Sequence, residues 1–119
     1  MSSKSLNRVM LIGNLTRDPE STVTAQGTKL CNFSIATNRS WTTDSGEKKE
    51  ETEYHRIIAW YKLAELCEQL LHKGSKVYVE GRIQTKKYID KNDGVEKLST
   101  EIVANDILVL SKKEEVEAI

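Results

Sequence analysis

Residues 53–74 read EYHRIIAWYKLAELCEQLLHKG, and their hydrophobic period changes half-way along. Over Glu53–Tyr61 the pattern alternates. Tyr54, Arg56, Ile58 and Trp60 fall on one face, and His55, Ile57, Ala59 and Tyr61 on the other, as in a strand. From Leu63 onward the apolar residues Leu63, Leu66, Cys67 and Leu70 recur at helical spacing, and Gly74 stands where a helix cap is expected. A strand thus runs almost directly into one helix of about three turns.

Working outward, alternation and turn residues place the other elements. A first strand is expected over about Asn7–Arg17, with both faces partly buried and Gly13 marking a bend or bulge; Asp18-Pro19 ends it. A second covers about Lys29–Asn38, with Cys31, Phe33 and Ile35 facing one way. Arg39–Glu51 reads as a polar loop with its turn at Asp44-Ser45-Gly46, before the third strand at Glu53. A fourth strand spans Lys76 to about Ile89, and Asn92-Asp93-Gly94 signals a hairpin. A fifth covers about Glu96–Val103; Asn105-Asp106 interrupts its alternation before Ile107–Leu110 resumes it. Three strands, one helix and two strands, with Gly13 and Gly81 mid-strand where a small barrel must bend, match an all-β OB-fold. The expected form is a five-stranded Greek-key barrel with the helix between strands 3 and 4. An α+β sandwich with the same element order is the alternative.

At 119 residues the chain fits one domain with a core that needs no disulfide staples. The expected division is a domain over residues 1–110 and a short charged tail over 111–119. No apolar run approaches the roughly 20 residues of a membrane helix, and the N-terminal residues carry no secretory pattern. Cys31 and Cys67 read as core residues, and a reducing cytoplasm is the expected setting. Lys+Arg and Asp+Glu both number 18, so any polyanion binding must come from uneven placement of charge.

Catalytic readings fail quickly. His55 and His72 belong to no zinc spacing, and no phosphate-binding loop, dinucleotide fingerprint or nucleophile elbow occurs. Glu50, Glu51 and Glu53 are mixed with Lys48 and Lys49 and read as a solvated loop rather than a metal-holding cluster. No catalytic residue, metal or cofactor is expected.

The aromatics are more informative. Trp41 lies in a polar segment with no apolar neighbour, and Tyr88 follows Lys86-Lys87 near a hairpin tip. Tyr54 and Trp60 share a face with Arg56, and Lys62 follows. Rings interleaved with cations suit single-stranded nucleic acid, whose bases stack at about 1–3 kcal/mol each while cations hold phosphates. A core position remains open for Trp60. Tyr61 and Tyr78 read as packing or subunit-contact residues. Pattern alone does not separate DNA from RNA, and an OB subunit used mainly for protein contacts is a further rival.

Several segments resemble bacterial single-stranded DNA-binding proteins. They are Asn7–Leu15 followed by Asp18-Pro19-Glu20, then Thr52-Glu53-Tyr54-His55-Arg56, Lys62-Leu63-Ala64-Glu65, and Lys73–Gly81. In order, they cover about residues 5–110. The resemblance implies an OB-fold homotetramer that wraps single-stranded DNA without sequence preference in replication, recombination and repair, in a bacterial cytoplasm or that of a phage host. It implies base stacking by Trp41, Tyr54, Trp60 and Tyr88, and phosphate contacts by Arg56, Lys62, Lys73 and Lys87. It assigns His55, Tyr78 and Glu80 to subunit interfaces. Tyr54 and Tyr88 stand where many members have tryptophan, which implies somewhat weaker stacking and smaller fluorescence quenching. The chain ends at Glu117-Ala118-Ile119 without the family's usual linker and acidic Pro-Phe tip, so recruitment of replication and repair proteins through that tip is doubtful.

Overall fold

The structure, a computed structural model, describes residues 4–111. The elements run β1 (Val9–Leu15), β2 (Glu20–Val23), β3 (Lys29–Thr42), β4 (Lys48–Trp60), α1 (Tyr61–Leu70), β5 (Lys76–Ile89) and β6 (Glu96–Val109). The sheet order is β1-β5-β6-β4-β3-β2, and β1 also pairs with β3, so five strands close into a barrel and β2 adds to its edge. Closure uses an antiparallel β1–β3 contact at Asn14↔Ala36 and a parallel β4–β6 contact at Ile57↔Ile102. The OB barrel is therefore as expected, but the extra strand β2 places the helix between the fourth and fifth strands.

The inward positions of the alternating strands make the core. Ile35, Ile57, Val77 and Val79 are fully enclosed, each contributing about 1.5–3 kcal/mol by burial. Ala64, Cys67 and Leu71 seat the helical segment on the same cluster as Cys31, Phe33 and Leu15. Burial pushes the Cys67 thiol up to about 12 and raises that of Cys31 as well, so both remain protonated hydrophobic groups. Two glycines mark close backbone approach. A Cβ on Gly13 would lie 2.6 Å from the Ala36 carbonyl oxygen, and one on Gly81 2.1 Å from that of Val103. The Gly81 contact sits at a bulge, where Glu80 pairs Asp106 but Gly81 pairs Ala104, leaving Asn105 as the extra residue. That bulge is what interrupts the alternation at Asn105-Asp106; β6 itself is continuous.

Four other expectations change. The segment 39–51 is not a loop: β3 and β4 pair without a break from Leu30↔Trp60 out to Thr42↔Lys48. The turn is confined to Thr43–Glu47, with Gly46 at φ +85° and the Thr43 hydroxyl accepting from the Glu47 amide at 3.2 Å. Both faces of this arm meet solvent, so its polar side chains show no alternation. Gly74 does not cap the helix. Leu71 ends it in extended backbone, and Gly74 (φ +90°) lies in the following turn, its amide donating to the Leu15 carbonyl at 2.9 Å. The first strand is shorter than expected, because Asn7 joins β5 by its side chain, donating to the Ile83 carbonyl and accepting from its amide, both at 2.8 Å. Finally, only one face of β1 is buried; Met10 and Ile12 are 62% and 54% exposed.

Candidate nucleic-acid interface

Two hairpin arms rise from the barrel, the β3–β4 arm ending at Thr43–Glu47 and the β5–β6 arm ending at Asp90–Val95. They stretch the radius of gyration to 17.2 Å, against about 13 Å for a compact chain of this size. Strand alternation fixes which side chains share a face. On β3–β4, the cross-strand pairs Ala36↔Tyr54, Ser34↔Arg56, Asn32↔Ile58 and Leu30↔Trp60 share the face turned away from the core, with Ile58 itself buried. Tyr54 stands opposite small Ala36 and is 68% exposed. Trp60 is half-buried, with the Tyr61 ring centroid 6.4 Å away. Trp41 is exposed too, but on the opposite face of the ribbon, beside Arg39 and across from Lys49.

Arg56 is where the surface comes together. It lines a cleft of about 240 Å³ with Arg17, Asn32 and Ser34, and a second of about 320 Å³ with Lys86, Lys87 and Tyr88. The barrel face and the β5–β6 arm thus meet at one guanidinium. Asp18 and Glu20 also line the first cleft, yet no carboxylate of the described residues lies within 4.0 Å of Arg17 or Arg56. Lys73 is held beside this cleft by its backbone: its amide donates to the Asp18 carboxylate at 2.8 Å. Lys62 is exposed on the first turn of α1. Neither lysine has a carboxylate partner among the described residues.

The β5–β6 arm differs. Lys86 reaches Glu101 at 3.7 Å, Lys87 reaches Glu96 at 3.8 Å, and Lys97 is held by Asp90 at 2.7 Å and Asp93 at 3.3 Å. Those hydrogen bonds raise the Lys97 amine and hold the Asp90 carboxyl low. Alternation puts Lys86 and Lys97 on the face of Tyr88, and Lys87 on the other. Arg17, Arg39 and Lys86 are cations beside these clefts and rings that the sequence reading did not select. For Arg39 and Lys86 the signal is a two-residue step from an aromatic on a strand; for Arg17 there is none.

The three residues assigned to subunit contacts do not share one place. His55 is half-buried on β4, its Nε2 2.9 Å from the Thr37 hydroxyl. Tyr78 and Glu80 lie on β5, where the phenol O–H donates to Glu80 at 2.9 Å and Arg8 donates to the other carboxylate oxygen at 2.9 Å. These two donors hold the Glu80 carboxyl below the usual range, and Glu80 in turn raises the Tyr78 phenol. Register sets Met10, Ile12 and Leu108 around the pair, all more than half exposed. Such an apolar sheet face with a central polar cluster has the composition of a protein contact surface. Among the described residues no group of three or more His, Cys, Asp or Glu is placed to hold a metal, and no helix is long and apolar enough to cross a membrane.

A closed β-barrel with its helix between the fourth and fifth strands, two long arms and exposed aromatics beside arginine and lysine side chains defines an OB-fold binding module. The model of the single-strand binding protein family matches residues 6–110. The chain belongs to that family. It is 47% identical over 112 residues to single-stranded DNA-binding protein 1 of Chlorobaculum tepidum, covering 94% of this chain and 69% of that protein. It is 48% identical over 111 residues to the single-stranded DNA-binding protein of Neisseria meningitidis, covering 93% of this chain and 63% of that one. Among solved structures, a Plasmodium falciparum SSB complex with ssDNA superposes with a TM-score of 0.81 at 35% identity, over 93% of this chain and 100% of that chain. A deletion mutant of the single-stranded DNA binding protein from Thermus aquaticus gives 0.77 at 32% identity, over 91% of this chain and 52% of that one.

Proposed function

We propose that this chain binds single-stranded DNA without sequence preference, as a non-enzymatic protein acting in the cytoplasm during replication, recombination and repair. The observation that carries the reading is Arg56, unpaired among the described residues and lining both clefts, with Tyr54 on its own face and Tyr88 across the second cleft. Bases stack on Trp41, Tyr54, Trp60 and Tyr88, at about 1–3 kcal/mol each. Phosphates lie at Arg56, Lys62, Lys73 and Lys87, with Arg17 and Lys86 extending the track. Because Trp41 and Tyr54 face opposite sides of one arm, no straight strand touches both. The strand must bend around the protein, and wrapping follows from that. Residues 1–110 form the binding domain, and 111–119 a charged tail that, after Ser111, lies outside the described residues. The exposed Met10, Ile12 and Leu108 surface around Tyr78 and Glu80 supports assembly into a homotetramer, with His55 assigned to a second contact.

The test is a titration with dT oligomers followed by tryptophan fluorescence, at low and high salt, beside matched duplex DNA and RNA. Tight quenching by dT alone, with several subunits per long strand, is the expected result. Equal binding of RNA would make this an RNA-binding OB protein. No binding of any strand would move the function to protein contacts.

A further inference from the structure

Resting on the single-strand reading above, we infer that Arg39 and Trp41 act as one stacking unit, in which Arg39 positions the indole and leaves one of its faces for a base. The Arg39 guanidinium carbon lies 4.4 Å from the centroid of the Trp41 ring. The two residues are two apart on β3, so strand geometry holds both on one face of the arm. Glu51, directly across from Arg39, sits 3.7 Å from its Nη2 and steadies the guanidinium from the side. An exposed tryptophan on a polar ribbon has no apolar wall to fix it. Here a cation replaces that wall, attracted to the electron-rich ring face.

With the guanidinium in place Trp41 is still 39% exposed, and a cleft lined by Ser40, Thr42, Lys48, Lys49 and Glu50 borders the ring. A base entering that cleft completes a three-layer stack of guanidinium, indole and base. The Arg39 side chain is itself 69% exposed and meets Glu51 only at 3.7 Å, so its outward N–H groups can turn to the phosphate beside that base. Arg39 is therefore a positioning residue for Trp41 and also a cation on the strand's path. A phosphate contact alone would act independently of the indole; a shared stack would not.

The test is a double-mutant cycle on the full chain: wild type, Arg39→Ala, Trp41→Ala and the double variant. Each is titrated with a short dT oligomer and with the same strand made abasic. With dT, Arg39→Ala should weaken binding about two- to fivefold more in the wild-type background than in Trp41→Ala. On the abasic strand this coupling should vanish, while Arg39→Ala still flattens the salt dependence. Arg39→Lys should keep the salt dependence and lose part of the coupling, because an ammonium lacks the planar face. Additive losses, or a coupling that persists on the abasic strand, would overturn the stacking unit. So would Glu51→Gln reproducing the whole Arg39→Ala effect, since the ion pair rather than the ring would then be responsible. If wild type binds dT and Trp41→Ala binds it equally well, the inference falls and the single-strand reading stands. If wild type fails to bind dT, both fall.

Discussion

Replacing Arg56 by alanine separates a phosphate-binding role from a structural one. Its guanidinium lies where two clefts meet, and none of the described carboxylates is within ion-pairing distance. No described carboxylate neutralises the charge. A hydrogen bond to a charged phosphate contributes about 1.5–3 kcal/mol, so the variant should bind a short dT oligomer roughly 10- to 150-fold more weakly at low salt. Each single-strand phosphate neutralised adds about −0.7 to the slope of log affinity against log salt. The slope should flatten by that amount, and the variant's deficit should shrink about fivefold between about 50 and about 500 mM salt. The oligomer must be short enough to occupy one subunit; otherwise several copies of the lesion are counted together. Arg56 is exposed and faces Ser34 across the sheet, so the thermal midpoint should barely move. Arg56→Lys should restore the slope, because a lysine also releases a counterion. An unchanged slope in Arg56→Ala, with whatever loss of affinity, would show that Arg56 holds no phosphate and would remove the junction of the proposed path.

Further predictions follow from the same geometry. Glu96→Gln frees Lys87 from its partner at 3.8 Å and should tighten binding and steepen the salt slope; no change would mean the strand does not pass Lys87. Gly81→Ala would place a methyl 2.1 Å from the Val103 carbonyl oxygen and should cost at least the upper end of about 1–3 kcal/mol in urea unfolding. Cys31 and Cys67 should resist alkylation at about pH 8 until the protein is unfolded, and native labelling at the rate of a free thiol would put them outside the core. Glu80 has a lowered folded value, so its contribution is present above the ordinary carboxylate range and lost as pH falls through the folded value. The stability gap between wild type and Glu80→Gln should therefore narrow as pH falls below the ordinary carboxylate range, and parallel curves would contradict the Arg8–Glu80–Tyr78 cluster.

Elements with one wet and one dry face were legible in the sequence. Cys31, Phe33 and Ile35 announce β3, and the change of period after Trp60 announces α1, because burial imposes the pattern that alternation detects. The arm formed by 38–52 was not legible for the same reason reversed: Asn38, Arg39, Ser40, Glu50 and Glu51 are all exposed, so no burial pattern exists to be read. Backbone pairing alone holds them there. The short β2, Glu-Ser-Thr-Val on the sheet edge, fails likewise. Gly74 misled because a positive φ serves a turn as well as a helix end. Within the site, Tyr54, Arg56 and Trp60 were placed together because they share one strand, whereas Arg17 reaches Arg56 only through the barrel's closure. Lys87 follows Lys86 in sequence, yet alternation turns it away from Tyr88.

Charge distribution resolves the apparent conflict between a neutral chain and a polyanionic ligand. Carboxylates pair with Arg8, Lys29, Arg39, Lys49, Lys86, Lys87 and Lys97. Among the described residues Lys4, Arg17, Lys48, Arg56, Lys62, Lys73, Lys76, Arg82 and Lys91 are left without one, and of these Arg17, Arg56 and Lys73 gather around the first cleft. Net charge governs the long-range field and so the encounter rate. Counterion release depends instead on how many phosphates meet a cation at contact. A protein built this way should gain little from long-range attraction yet show a salt slope set by the cations that meet phosphates at contact. Multiplying subunits multiplies those contacts without adding net charge. Assembly, rather than basicity, is therefore the route by which this chain would hold a long strand.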